Sequence, residues 1–176
     1  MIYQWTIDHT WDGQQIQPKE HTYVSLDLGS DQHVGLRIDA PFRQDPAPKD
    51  EVGPTWALWE HEVVELFLVG DGGDYLEIEV GPYGHYLILS LDKPRVISKK
   101  LLPAAVTSEI SGARWTASVV FSVDLLPEQI CRANAFAIHG LGPDRTYLAH
   151  SSLPAEKPDF HQPHRFPGLP GPTIAP

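Results

Sequence analysis

Residues 59–80 read Trp59-Glu60-His61-Glu62-Val63-Val64-Glu65-Leu66-Phe67-Leu68-Val69, then Gly70-Asp71-Gly72-Gly73-Asp74, then Tyr75-Leu76-Glu77-Ile78-Glu79-Val80. Apolar and polar residues alternate on both sides of a glycine-rich reversal, which is the pattern of a β-hairpin. Strand side chains alternate between faces, so Val64, Leu66 and Leu68 share one face with Leu76, Ile78 and Val80. The other face carries Glu65, Phe67, Tyr75, Glu77 and Glu79. Carboxylates interleaved with aromatics exceed what solubility requires, and this face is the expected functional surface.

The same period of two recurs outward from the hairpin. It runs through Thr22 to Leu28 and His33 to Ala40, then His85 to Leu91, Trp115 to Phe121, Asn134 to Gly140 and Thr146 to His150. A further strand lies between Ile2 and Trp11, ended by an Asp12-Gly13 reversal. Seventeen prolines and fourteen glycines cut the chain into short segments. The helical period is confined to Ser122–Ile130, with Ser122 or Asp124 as N-cap. Eight or nine short strands joined by Gly, Pro and Asp turns predict an all-β fold, two packed antiparallel sheets forming a sandwich. No repeat or composition shift divides the chain, so residues 1–176 read as one domain. Residues 41–55 form a proline-rich loop long enough to carry function. The stretch from Pro154 onward reads as an irregular tail packed over the sandwich.

Composition narrows the partners. The net charge of −10 disfavours nucleic acid and anionic membrane, both of which call for a basic surface. No apolar run approaches the roughly 20 residues of a membrane helix. No basic leader precedes an apolar core at Met1, and the single cysteine, Cys131, forms no internal disulfide. These features predict a cytoplasmic protein. Cys131 is expected to be buried and inert. Oligomeric state is not legible.

Several stretches resemble known families. Trp59-Glu60-His61-Glu62-Val63-Val64-Glu65-Leu66-Phe67-Leu68, Tyr75-Leu76-Glu77-Ile78-Glu79-Val80-Gly81-Pro82-Tyr83-Gly84 and Pro158-Asp159-Phe160-His161-Gln162-Pro163-His164-Arg165-Phe166 resemble family-9 carbohydrate-binding modules. With His9-Thr10-Trp11-Asp12-Gly13 and Phe136-Ala137-Ile138-His139-Gly140, the chain is still more similar to a family of uncharacterised intracellular single-domain proteins of bacteria and animals. The resemblance implies a β-sandwich of carbohydrate-binding-module type and leaves activity open. Two departures bear on the site. Gly81-Pro82-Tyr83-Gly84 stands where the modules read Ser-Pro-Asn-Gly. No tryptophan follows Trp115, so the late tryptophan with which such modules close on a sugar ring has no counterpart.

The candidate ligand residues follow from this chemistry. Carboxylates of Glu65, Glu77 and Glu79 accept paired hydrogen bonds from vicinal hydroxyls, and Arg37 and Arg145 donate them. Trp56, exposed after Pro54-Thr55, is the stacking candidate. Trp59 is read as packing behind it, with Tyr75 on the hairpin face. Glu60 and Glu62, at the strand entrance, read as solvated. His139, at the end of an apolar strand, and His161 complete the set. His161 and His164 stand three apart, but Pro158 and Pro163 preclude the helix that would aim both at a metal. No His-Glu-x-x-His or Cys-x-x-Cys appears, and Asp71 and Asp74 fall short of a calcium loop. Neither a metal nor a cofactor is expected. The leading expectation is non-catalytic binding of a small carbohydrate or other polyhydroxylated ligand. A glycosidase-like enzyme built on Glu65, Glu77 and His139 is the alternative, favoured if the carboxylates prove buried and mutually close. An acidic face docking a basic protein is the third.

Overall fold

The computed structural model describes residues 1–29 and 31–171. Twelve strands are assigned among them: β1 (Ile2–Ile7), β2 (His9–Thr10), β3 (Thr22–Asp27), β4 (His33–Pro41), β5 (Val63–Val69), β6 (Tyr75–Val80), β7 (Tyr86–Lys93), β8 (Val96–Lys99), β9 (Ala105–Ser111), β10 (Arg114–Ser122), β11 (Arg132–His139) and β12 (Thr146–Ala149). They form a five-stranded sheet, ordered β1-β3-β4-β10-β9, and a seven-stranded sheet, ordered β2-β12-β11-β5-β6-β7-β8. Every named pairing is antiparallel. The all-β sandwich expected from the alternation is what the chain forms. Among the described residues no helix is long and apolar enough to cross a membrane.

The hairpin at 63–80 forms as its pattern requires. Gly70 N–H donates to the Asp74 carbonyl at 2.9 Å, and Gly73 lies at φ +87, where only glycine is unstrained. A Cβ on Gly70 would stand 2.9 Å from the Glu128 carbonyl, so the reversal also needs glycine for close approach. The segment expected to be helical becomes one 3-10 turn, Val123–Leu125, with Ser122 Oγ accepting from Asp124 N–H at 3.3 Å. Leu126 returns to extended geometry before Pro127, which stops propagation.

Two apolar layers result. Between the sheets, Val64, Leu66, Leu68, Leu76, Ile78 and Val80 pack with Trp5, Leu36, Ile38, Trp115 and Phe121. In β4 and β10 buried and exposed residues alternate, as in a sheet with one wet face. β5 and β6 behave differently: every residue in both is buried. A second layer on the outer side of the seven-stranded sheet gathers Phe67, Tyr75, Leu87, Leu89 and Phe136 under Leu153, Phe160 and Phe166. As far as residue 171 the expected tail thus does pack over the sandwich, and it covers the acidic face of the hairpin; its last five positions, 172–176, lie outside the described residues. Cys131, expected to be buried, is exposed beyond the end of that layer.

Candidate functional site

Register brings the three hairpin carboxyls together. Glu65 on β5 lies directly opposite Glu79 on β6, and Glu77 is two residues along the same face of β6. Glu65 is flanked on its other side by Phe136 of β11, and Glu77 by Leu89 of β7. One carboxylate oxygen from each glutamate lies within 4.8 Å of the other two. The face is not the solvated platform expected: Glu65, Glu77 and Glu79 are 2%, 3% and 0% exposed. The cause is the cover supplied by residues 56–60 and 153–166, which alternation within the strands does not reveal.

Burial dominates the electrostatics. It raises Glu65 and Glu79 well above the usual carboxylate range, and the neighbouring carboxyls push both further up. Glu77 is raised to about 7, again chiefly by burial, with the adjacent Glu79 carboxyl as a hydrogen-bonding group and then the Arg95 charge opposing. Like charges facing one another across a strand pair disfavour full ionisation, so the cluster titrates as a unit.

Above the floor is a cavity of about 460 Å³, lined by Glu65, Glu77, Trp56, Trp59, Tyr147, Phe160 and His161 among others. Ala57, in left-handed geometry at φ 60, turns the chain into the 3-10 turn Leu58–Glu60 and sets Trp59 beside Trp56. Their rings meet edge to face at 5.2 Å; Trp56 is 47% exposed and Trp59 is half-buried. Phe160 stacks on Phe136 with centroids 3.9 Å apart and planes within 10°. At the far wall Tyr75 Oη lies 2.8 Å from His161 Nδ1 and accepts the Arg95 backbone N–H at 3.3 Å. That leaves the hydroxyl proton for Nδ1 of a neutral ring. Burial accounts for both groups: His161 is lowered to about 4, and Tyr75 is raised to about 12. Arg95 and Asp159 close the rim with a 2.8 Å ion pair.

The expected residues therefore divide. Glu65, Glu77, Trp56, Trp59 and His161 line one cavity, Tyr75 buttresses His161, and Glu79 lies beneath the floor without reaching the cavity. Arg145 stands beside Trp59, but its guanidinium donates to the carbonyls of Trp59, Glu60 (2.8 Å) and Gly140 (3.3 Å). It fixes the tryptophan turn, and its charge lowers Glu65. Arg37 is a correction: it projects from β4 of the other sheet, into a groove of about 680 Å³. Strand order is the reason, because β5 pairs with β11 and β6 and never with β4.

His139 is a second correction. It lines a separate hollow with Arg43 and Glu62 and is lowered to about 4, first by burial and then by the Arg43 charge. Glu62, read as solvated, is 5% exposed and accepts the backbone N–H groups of Arg43 (3.0 Å) and Asp45 (3.3 Å), which folds the 41–55 loop against the sheet edge. Phe160, Tyr147, Arg95 and Asp159 belong to the cavity and were missed. The Phe160-His161 pair inside the family-like terminal stretch was the available signal for the first.

No family model matches the sequence. A solved structure does share the fold: a “putative carbohydrate-binding protein” from Bacteroides uniformis superposes with a TM-score of 0.69 at 16% identity, covering 94% of this chain and 84% of that one. Curated relatives are more similar in sequence. The human UPF0462 protein C4orf33 is 37% identical over 164 residues, spanning 88% of this chain and 81% of the human protein. Its zebrafish homologue, from Danio rerio, is 35% identical over 89% of this chain and 83% of its own length. At that identity and coverage the chain belongs to the UPF0462 family.

Proposed function

We propose that the chain binds a small carbohydrate, or a similar polyhydroxylated molecule, in the aromatic-walled cavity and releases it unchanged. The supporting observation is the conjunction of Glu65 and Glu77 on the floor with Trp56 and Trp59 at the wall. A carboxyl poised between ionised and neutral forms, as Glu77 is, both accepts and donates hydrogen bonds, which suits vicinal hydroxyls. The flat indoles suit the C–H face of a sugar ring. The volume falls within the ~300–1,000 Å³ common for small-ligand sites. The name of the Bacteroides uniformis neighbour agrees with this reading.

Hydrolysis is the second reading, because buried and mutually close carboxyls, one with its pKa near 7, suit a general acid. One fact ranks it lower. His139, the expected partner, lies in another hollow. Burial of the carboxyls also removes the acidic docking face. Isothermal titration with a panel of mono- and disaccharides tests the proposal. We expect a sugar binding below millimolar, weakened at least tenfold by Trp56→Ala and by Glu77→Gln. Absence of any such sugar, or variants that bind like wild type, would refute it. Glu77-dependent release of reducing ends from a disaccharide would install the enzyme reading instead.

A further inference from the structure

The hairpin carboxyls are under-partnered for their depth. Glu77 Oε2 and both oxygens of Glu79 have no hydrogen bond of good geometry among the described residues, although Glu77 is 3% exposed and Glu79 not at all; the polar groups that bear on Glu79 are the Glu77 carboxyl and the Trp59 backbone N–H. The two cations whose charge reaches the cluster are committed elsewhere, Arg145 to backbone carbonyls and Arg95 to Asp159. Desolvated carboxyls carry a large cost unless paired or neutralised, and a buried polar group without a partner calls for an ion or a water.

The geometry points to a cation. Oxygens on opposite sides of a bound Ca²⁺ stand about 4.6–5.2 Å apart, and on Mg²⁺ about 4.0–4.2 Å. One oxygen from each of the three glutamates lies within 4.8 Å of the other two, inside the reach of a single such ion. A donor set of carboxylates alone, with no histidine or cysteine, selects a hard metal. Three glutamates offer up to six oxygens, the lower end of calcium coordination. Glu65 and Glu77 line the cavity, which provides both the route in and the direction in which further ligands would lie.

We propose that Glu65, Glu77 and Glu79 form a binding site for a divalent cation of the calcium class beneath the cavity floor. Glu79 separates this site from the sugar reading, because it lies below the floor and out of reach of a molecule in the cavity. The test uses the full chain, stripped with EDTA, titrated with CaCl₂ in the absence of sugar, so its failure leaves the sugar reading standing and the reverse. We expect one Ca²⁺ per chain with Kd at or below about 1 mM. Saturation should raise Tm by about 5–10 °C. Glu79→Gln should weaken binding at least tenfold while leaving the metal-free Tm close to wild type, since glutamine is nearly isosteric with a neutral carboxyl. Glu65→Gln is the second variant and should weaken binding likewise. No heat and no Tm shift at about 10 mM Ca²⁺ would overturn the site. So would wild-type affinity in both variants, or tighter binding of Mg²⁺ than of Ca²⁺.

Discussion

Replacing Phe160 with alanine tests whether the segment covering the hairpin is part of the folded unit. Phe160 is 8% exposed and stacks on Phe136 at 3.9 Å. A phenylalanine buries on the order of 200 Å², and truncation to alanine uncovers roughly 120 Å² of it. At about 25 cal/mol per Å² that is about 3 kcal/mol. Loss of the ring pair adds about 1 kcal/mol. Because the ring borders an open cavity, water refills the space and no sealed-void penalty applies. A loss of about 3–4 kcal/mol should lower the thermal midpoint by roughly 10 °C and the urea midpoint by about 1.5 M. Urea unfolding followed by far-UV circular dichroism reads it, with the exposed Lys157→Ala as control. Loss of less than about 1 kcal/mol at unchanged m-value would refute the reasoning, because the segment would then fray independently of the sandwich.

Asn134 is fully buried; its side chain donates to the Ser151 carbonyl at 2.8 Å and accepts the N–H groups of Ala135 and Ser151, each at 3.0 Å. Asn134→Ala orphans both backbone groups of Ser151 and should cost about 2–4 kcal/mol in thermal unfolding, while near-neutrality would mean that this turn finds other partners. His139 has a folded pKa of about 4, below its ordinary value of 6.5. Its neutral form is favoured by folding, so its contribution is complete above that ordinary value and is lost as pH falls toward 4. The slope cannot exceed about 1.4 kcal/mol per pH unit and is reduced by partial exposure. Wild type should therefore lose more stability than His139→Gln between pH 7 and pH 5, and equal losses in urea midpoints would clear His139 of any role.

The hairpin was fully legible. Period-two alternation placed Glu65, Glu77 and Glu79 on one face, and that is where they stand. What covers that face was not legible from the same signal, because alternation tells which residues share a side and says nothing of what packs on it. A cue was present in Leu87-Ile88-Leu89, a nearly unbroken apolar run of the kind found in strands buried on both faces. Arg37 was misplaced for a different reason: strand neighbours depend on long-range topology, and nothing local distinguishes β4 from β11 as the partner of β5. β8 and β9 escaped because they are edge strands, exposed along most of their length and rich in polar residues. The Trp56-Trp59 wall was half legible. Proline punctuation marked the loop, but the left-handed Ala57 that joins the two rings has no sequence signature.

The buried glutamates also shape the chain before it folds. Val63-Val64-Glu65-Leu66-Phe67-Leu68-Val69 and Tyr75-Leu76-Glu77-Ile78-Glu79-Val80 are the segments best suited to stacking between molecules, being β-prone, apolar and free of proline. In the solvated, unfolded chain each glutamate is ionised at neutral pH and acts as a gatekeeper inside its own strand. Only the native sandwich, which shields that face from other chains, removes the charges from water. Substituting all three by glutamine would ease the folded state and, on refolding, open the route to aggregation.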